Sequence, residues 1–276
     1  MKNLKYLVLA SLLLFSCNKD DNEDKNKLDY ILKFIFPVTK DKEFGQQFAA
    51  QLEANPAEYP LLPDTGRYHL AYLHLDSIRD AILLSDDLDY ADDFDLPLKI
   101  VNNDEVLNAF CAPAGYIYFY TGIIKYLDNE AQLAGVMAHE MAHADKRHTT
   151  KTLLGRYAAI TLIDMILGKE SSRMDTIIAD LALGLGALKF SRDHEYEADE
   201  MAVKYTADTD YHPKGIAGFF EKLEDEGNRP KIPEFLSTHP NPENRLEKMD
   251  SVYISIGSPP GELFVDRYEK LKSYLP

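Results

Sequence analysis

Tryptophan is absent from the 276 residues, which decides little, but other scarcities exclude whole classes of protein. Only two cysteines occur, Cys17 and Cys111, so no disulfide framework can be built if Cys17 is used elsewhere. Cys111 lies in an apolar segment with no base nearby, which suits a small buried residue better than a nucleophile. Positive charge is also short. Thirty Lys and Arg stand against 46 Asp and Glu, a net charge of −16 that repels nucleic acid and anionic headgroups. No apolar run reaches the roughly twenty residues of a bilayer span. Residues 153–167 are interrupted by Arg156 and Asp164, and 177–188 by Asp180, so both read as buried helices or a lid over a cleft. The aspartates of residues 86–95 lack the glycine and closing glutamate of an EF-hand loop, which leaves a solvated turn. No internal repeat is evident.

Histidine is scarce too, eight in all, and that gives weight to where two of them fall. His139-Glu140-Met141-Ala142-His143 puts two imidazoles four residues apart, about 40° around a helix axis, so both leave one face. Glu140 is one residue's rotation away, placed to hold a water bound to the same metal. This pattern reads as a zinc site that hydrolyses peptide bonds, with Zn2+ as its cofactor, one per chain. The surroundings fit a helix. Asp128 and Asn129 are N-cap candidates, Gln132 follows Asn129 by three as in a capping box, and Leu133, Val136 and Met137 form an apolar face. Lys146, Arg147 and His148 cluster where positive charge suits the helix dipole, and His148 reads as a helix-end residue.

Two histidines and a water leave zinc one ligand short, because a catalytic site takes three protein ligands and keeps one position open. The polar run 191–200 supplies the candidate. Glu195 and Asp199 share a helix face, so Glu195 can ligate while Asp199 accepts the second N–H of a ligating histidine. His194 is about 100° around the axis from Glu195, and Glu197 and Glu200 fall on other, solvated faces.

The order His139-Glu140-x-x-His143, then Glu195-x-x-Ala198-Asp199, resembles the gluzincin endopeptidases of peptidase family M48, of the HtpX-, BepA- and LoiP-like kind. Residues 108–122 are similar to that family's hairpin ahead of the metal helix, and residues 237–246 to its downstream His-Pro segment with a following arginine. The resemblance covers roughly residues 98 to 250. It implies His139, His143 and Glu195 as zinc ligands, Glu140 as general base, and Asp199 as partner of a ligating histidine. It also implies that His239 approaches the metal, as a plug in its open position or as an oxyanion stabiliser, with Arg245 near the same cleft. The family often has Pro-Gly-Gly where this chain has Pro113-Ala114-Gly115, so the bend of the hairpin is expected to differ.

The beginning of the chain reads as a targeting segment. Lys2 and Lys5 precede ten apolar residues, and Leu14-Phe15-Ser16-Cys17 resembles a relaxed bacterial lipobox, with lipid attached at Cys17. Removing that leader takes away two basic residues and leaves −18. The acidic run 18–24 is a tether, and its lysine followed by acids resembles the surface-export signal of Bacteroidetes-type lipoproteins. The expectation is therefore an outer-membrane lipoprotein of a Gram-negative bacterium, on the periplasmic face or the cell surface, held to the membrane through Cys17.

The remainder predicts an α+β fold, a mostly helical zincin-type metallopeptidase domain with a small antiparallel sheet or hairpin beside the metal helix. Residues 1–16 are a signal peptide and 17–27 the tether. Residues 28–97 are a helical region, 98–254 the catalytic domain and 255–276 a C-terminal extension. Helices are expected over 44–54 and 68–84, and strands over 98–101 and 106–110. A further strand over 116–120 alternates tyrosine with apolar residues, the period of a half-buried strand. Its open edge, at Tyr116, Ile117 and Tyr118, is expected to take an extended substrate by strand addition. The partner is then a polypeptide, with no nucleic acid. A different class of function is a chaperone-like assembly or quality-control factor for outer-membrane proteins, coupled to their assembly machinery, with a largely self-inhibited protease site.

Overall fold

The computed structural model describes residues 37–156, 190–225, 234–240 and 244–276. The segments read as leader and tether, with Cys17, lie outside the described residues, as do most of the two apolar stretches after residue 156. Among the described residues, no helix is long and apolar enough to cross a membrane.

Among the described residues, two α-helices precede the sheet, α1 (Val38–Glu53) and α2 (His69–Ile82). Strands β1 (Leu98–Val101), β2 (Ala109–Ala112) and β3 (Tyr116–Tyr120) follow, then a short α3 (Thr121–Tyr126) and the metal helix α4 (Glu130–Asp145). Beyond these come α5 (His148–Arg156), α6 (Arg192–Ala207), α7 (Gly215–Asp225), α8 (Glu234–Thr238), α9 (Arg245–Ser255) and α10 (Val265–Ser273). The fold is mostly helical α+β, as the pattern of residues predicts. The sheet is mixed rather than wholly antiparallel. Its order is β1-β3-β2, with β1 parallel and β2 antiparallel to β3.

That order overturns one expectation. β3 is the central strand, so Ile117 faces Leu98 on one side and Cys111 on the other, and Tyr118 faces Lys99 and Phe110. Tyr116, Ile117 and Tyr118 therefore offer no open edge to a substrate. The alternation was real, but both faces are covered, with only Tyr116 partly exposed. Ile117 and Phe119 join the core cluster shared with α4, while Tyr118 and Tyr120 pack with Phe44, Phe48 and Leu52 of α1. Phe110 stacks on Tyr118 at 4.7 Å between ring centroids. A period of two shows that a strand has two faces, and says nothing about what covers the second.

Among the described residues, β2 has no strand paired on its outer edge. The Tyr120 amide bonds the Asn108 carbonyl at 3.1 Å, so the alternating register turns the backbone groups of Ala109 and Cys111 away from β3. β1 is closed on its outer side by residues 60–62, through Leu62 N–H to Ile100 O and Asn102 N–H to Pro60 O, both 2.8 Å. The bend between β2 and β3 puts Ala114 in the left-handed region (φ 60°), followed by Gly115 at φ 84°. The chain makes the positive-φ turn despite its alanine.

α4 is wrapped on all sides. All sixteen of its residues are buried, so it presents no solvated face. Small residues permit this: a Cβ on Gly135 would lie 2.2 Å from the Ile216 nitrogen, and one on Gly215 would lie 1.9 Å from the Ala131 oxygen. Asn129 caps the helix by accepting from the Gln132 amide at 3.0 Å, and the Gln132 side chain reaches back to the Asp128 amide at 2.8 Å. At the far end Asp145 is buried and accepts from the Tyr205 hydroxyl (2.7 Å) and the Tyr90 amide (2.8 Å). α1 is fastened to the same end, where Asp41 accepts from Arg147 (2.6 Å) and Thr150 (2.5 Å).

Candidate metal centre

Position and charge on α4 decide what its histidines can do. His139 and His143 leave the helix on one side and meet α6 and the end of α8. There one nitrogen from each, one oxygen of Glu195 and one nitrogen of His239 lie within 4.8 Å of one another, all buried. His143 Nε2 is 3.1 Å from His139 Nε2, which is 3.3 Å from His239 Nδ1. Glu195 closes the set, with its oxygens 3.6 Å from His139 Nε2, 3.7 Å from His143 Nε2 and 3.2 Å from His239 Nδ1. Three imidazoles and a carboxylate at this spacing fit a zinc ion in donor type and number. Without a cation the cluster is hard to account for, since lone pairs would face one another in a dry interior.

Ser191 begins α6 by accepting from the His194 amide at 3.1 Å, and so fixes which side of the helix carries Glu195. Asp199, one turn on, lies 3.0 Å from His139 Nδ1. Arg245 grips Asp199 with both ends of its guanidinium, Nε to Oδ2 and Nη2 to Oδ1 at 2.6 Å, and reaches Glu195 Oε2 at 3.1 Å. The planar fork that arginine alone presents suits this geometry. Its guanidinium carbon also sits 3.7 Å from the Phe220 ring centroid. Burial disfavours the Glu195 carboxylate, but the charge of His239 and hydrogen bonds from His139 and His239 hold it well below its ordinary range.

Glu140 stands apart from the donors. It is fully buried, neither of its oxygens makes a hydrogen bond of good geometry among the described residues although the Cys111 backbone amide approaches it, and Oε1 is 3.3 Å from His239 Nε2. Burial raises its carboxyl to about 8 against the opposing charge of His139. Such a pair of under-satisfied acceptors beside a metal-donor set marks where a proton-bearing small molecule belongs.

This arrangement, with the run of residues around it, matches a known family. Residues 82–252 match Peptidase family M48. The chain belongs to that family. The curated relatives include the "Beta-barrel assembly-enhancing protease" of Escherichia coli K12, 33% identical over 159 residues, which cover 53% of this chain and 32% of the relative. The "Mitochondrial metalloendopeptidase OMA1" of Arabidopsis thaliana is 31% identical over 150 residues, covering 53% of this chain and 29% of the relative. The matched region is thus about a third of the length of these relatives.

The structure also places the other M48-domain residues that the sequence singled out. His148, read as a helix-end residue, begins α5. It is buried, with Nδ1 2.9 Å from His143 Nδ1 and Nε2 3.1 Å from Glu197 Oε2. Arg147, at φ 55°, makes the turn that sends His148 back toward α4. Glu197 is exposed, as read, and its carboxylate is held down to about 2 by the hydrogen bond from His148, against burial. His194 does not join the metal donors and stacks on His148 at 4.3 Å. Two aromatic supports went unnoticed in the sequence: Phe190 stacks on His143 at 3.9 Å and Phe235 on His239 at 4.4 Å. Cys111 is buried, and its thiol donates to the Ala112 carbonyl at 3.2 Å.

Proposed function

We propose that this chain is a zinc-dependent endopeptidase that hydrolyses extended or misfolded polypeptides of the bacterial envelope. The convergence of His139, His143 and Glu195 one residue from the buried, under-satisfied Glu140 carries the reading. A bound zinc would polarise the scissile carbonyl and acidify a water. The Glu140 carboxylate then takes that water's proton and returns it to the departing amine, which needs no other titratable group. Asp199 keeps the proton of His139 on Nδ1 so that Nε2 faces the metal, and Arg245 keeps Asp199 in place. An extended substrate pairs with the outer edge of β2 beside Ala109 and Cys111, with backbone bonds that make recognition largely independent of side chains.

The test is cleavage of an unfolded protein by wild type and by Glu140→Gln. Cleavage should fall at least a hundredfold while zinc stays near one per chain. Equal cleavage by both proteins rejects the assignment. Full zinc retention in Glu195→Ala would reject the third ligand.

His239 supports a second reading, that the resting site is closed. Its Nδ1 makes a fourth donor where a catalytic zinc keeps a position open. Activity then waits for a substrate or partner that binds the released loop more tightly. His239→Ala should raise basal proteolysis, whereas a 10²–10³-fold loss would assign it to oxyanion stabilisation instead. A closed site also suits a client-binding role in outer-membrane protein assembly, in line with the name of the Escherichia coli relative. Lipid attachment at Cys17 places the enzyme at the membrane in this reading, and Cys17→Ser should release it into the soluble fraction.

A further inference from the structure

His143 is oriented through an unusual intermediary. If its Nε2 faces the metal, as its 3.1 Å approach to His139 Nε2 and 3.7 Å approach to Glu195 require, its proton sits on Nδ1. The atom within reach of that proton is another imidazole nitrogen, His148 Nδ1 at 2.9 Å. Two nitrogens this close share one proton, so His148 Nδ1 must accept and its own proton must sit on Nε2. That nitrogen is 3.1 Å from Glu197 Oε2, an acceptor. The three contacts therefore fix one another's tautomers in a single direction.

We propose that His148 and Glu197 act as a relay of positioning residues that sets the tautomer and basicity of His143, a role that rests on the zinc reading above. His139 has a carboxylate directly behind it, Asp199 at 3.0 Å, whereas His143 reaches its carboxylate through His148. The intermediary is held rigidly. The His148 side chain has no solvent exposure, its ring stacks on His194 at 4.3 Å with 11° between planes, and the His143 ring is stacked on Phe190. Glu197 is different: its side chain is 45% exposed, so the outer end of the relay opens to solvent and can be altered with little effect on packing.

The test compares zinc affinity, by chelator competition, with the melting temperature of the metal-free protein. His148→Phe keeps a ring but removes the acceptor, and should weaken zinc about 10–100-fold. His148→Asn restores an oxygen near the Nδ1 position and should recover most of that loss. Glu197→Gln should weaken zinc by a smaller factor with the metal-free melting temperature unchanged. A merely structural His148 would lower the melting temperature in Phe and Asn variants alike and leave affinity tracking stability, which would overturn the relay. So would zinc affinity within twofold of wild type in His148→Phe. Glu140→Gln separates the two claims: zinc bound normally but cleaved substrate undiminished defeats the catalytic reading and leaves the relay standing. A wild type that binds no zinc defeats both.

Discussion

Arg245 is the residue whose removal should be felt most without metal and least with it. Its side chain is 2% exposed, and the carboxylates it holds, Glu195 and Asp199, are 0% and 3% exposed. Arg245→Leu keeps bulk over the Phe220 ring but leaves two carboxylates in a dry interior without their guanidinium. Breaking a buried pair from one side costs about 3–5 kcal/mol, because the remaining charge stays desolvated. For a domain of this size each kcal/mol moves the melting temperature by about 2–4 °C, so the metal-free variant should melt about 6–20 °C below wild type. Two positive charges from zinc would replace much of what was lost, and excess zinc should cut that gap to less than half. Zinc binding alone raises both proteins, by about 2.7 kcal/mol at a hundred times its dissociation constant, so only the difference between them is informative. Arg245→Lys should rescue little, since a single ammonium cannot match the two-ended grip on Asp199. Calorimetry with chelator and with zinc reads all of this. A variant that melts within 2 °C of wild type without metal, or loses as much with zinc as without, refutes the argument.

The close approach of α4 and α7 predicts that Gly135→Ala loses about 1–3 kcal/mol despite the roughly 1 kcal/mol that alanine adds to a helix, because its Cβ would meet the Ile216 backbone. A shift of denaturant midpoint to higher concentration would contradict that. Glu130 is buried, and burial alone would raise its pKa, but hydrogen bonds from His74 and Tyr211 hold it below 4.5. Its contribution to stability is therefore full above about pH 4.5 and disappears as pH falls through the lower folded value. Glu130→Gln should flatten that acid limb of the stability curve, and an unchanged limb would show that Glu130 does not shape it. Ala114→Gly should change stability by less than about 1 kcal/mol, since relief at φ 60° is offset by a freer unfolded chain, as urea titration would show.

Much of the fold was legible because local physics decided it. β1 and β3 fall where alternation put them, and α4 starts at the Asn129 cap. β2 lies three residues later than expected, because the turn at Pro113–Gly115 and the pairing of Ala112 with Tyr116 set its register, while the Leu107 carbonyl is taken by the Phe235 amide at 3.0 Å. Helical spacing brought His139 and His143 to one face and offered Glu195 as a third donor, whereas the approach of His239 was expected only from the family resemblance. What was not legible depended on long-range packing. The tyrosine face of β3 is covered by α1, some seventy residues away in the chain, and nothing in residues 116–120 records it. His148 looked like a polar helix end, since one left-handed residue, Arg147, reverses its direction. The cue available was the five-residue offset from His143 followed by a carboxylate just beyond Glu195.

The sixteen buried residues of α4 also bear on the order of folding. A helix without a solvated face gains little by forming early, and several of its buried polar groups find partners from distant chain. His139 waits a hundred residues for His239, and Glu130 waits 137 for Arg267. Contacts of that sequence separation close late and slowly. A chain emerging from the ribosome that has reached only residue 190 holds both imidazoles and Glu140, but neither the carboxylate nor the guanidinium that completes them. On the proposed reading, a chain that stops before Arg245 would therefore hold an incomplete site and could not hydrolyse a substrate.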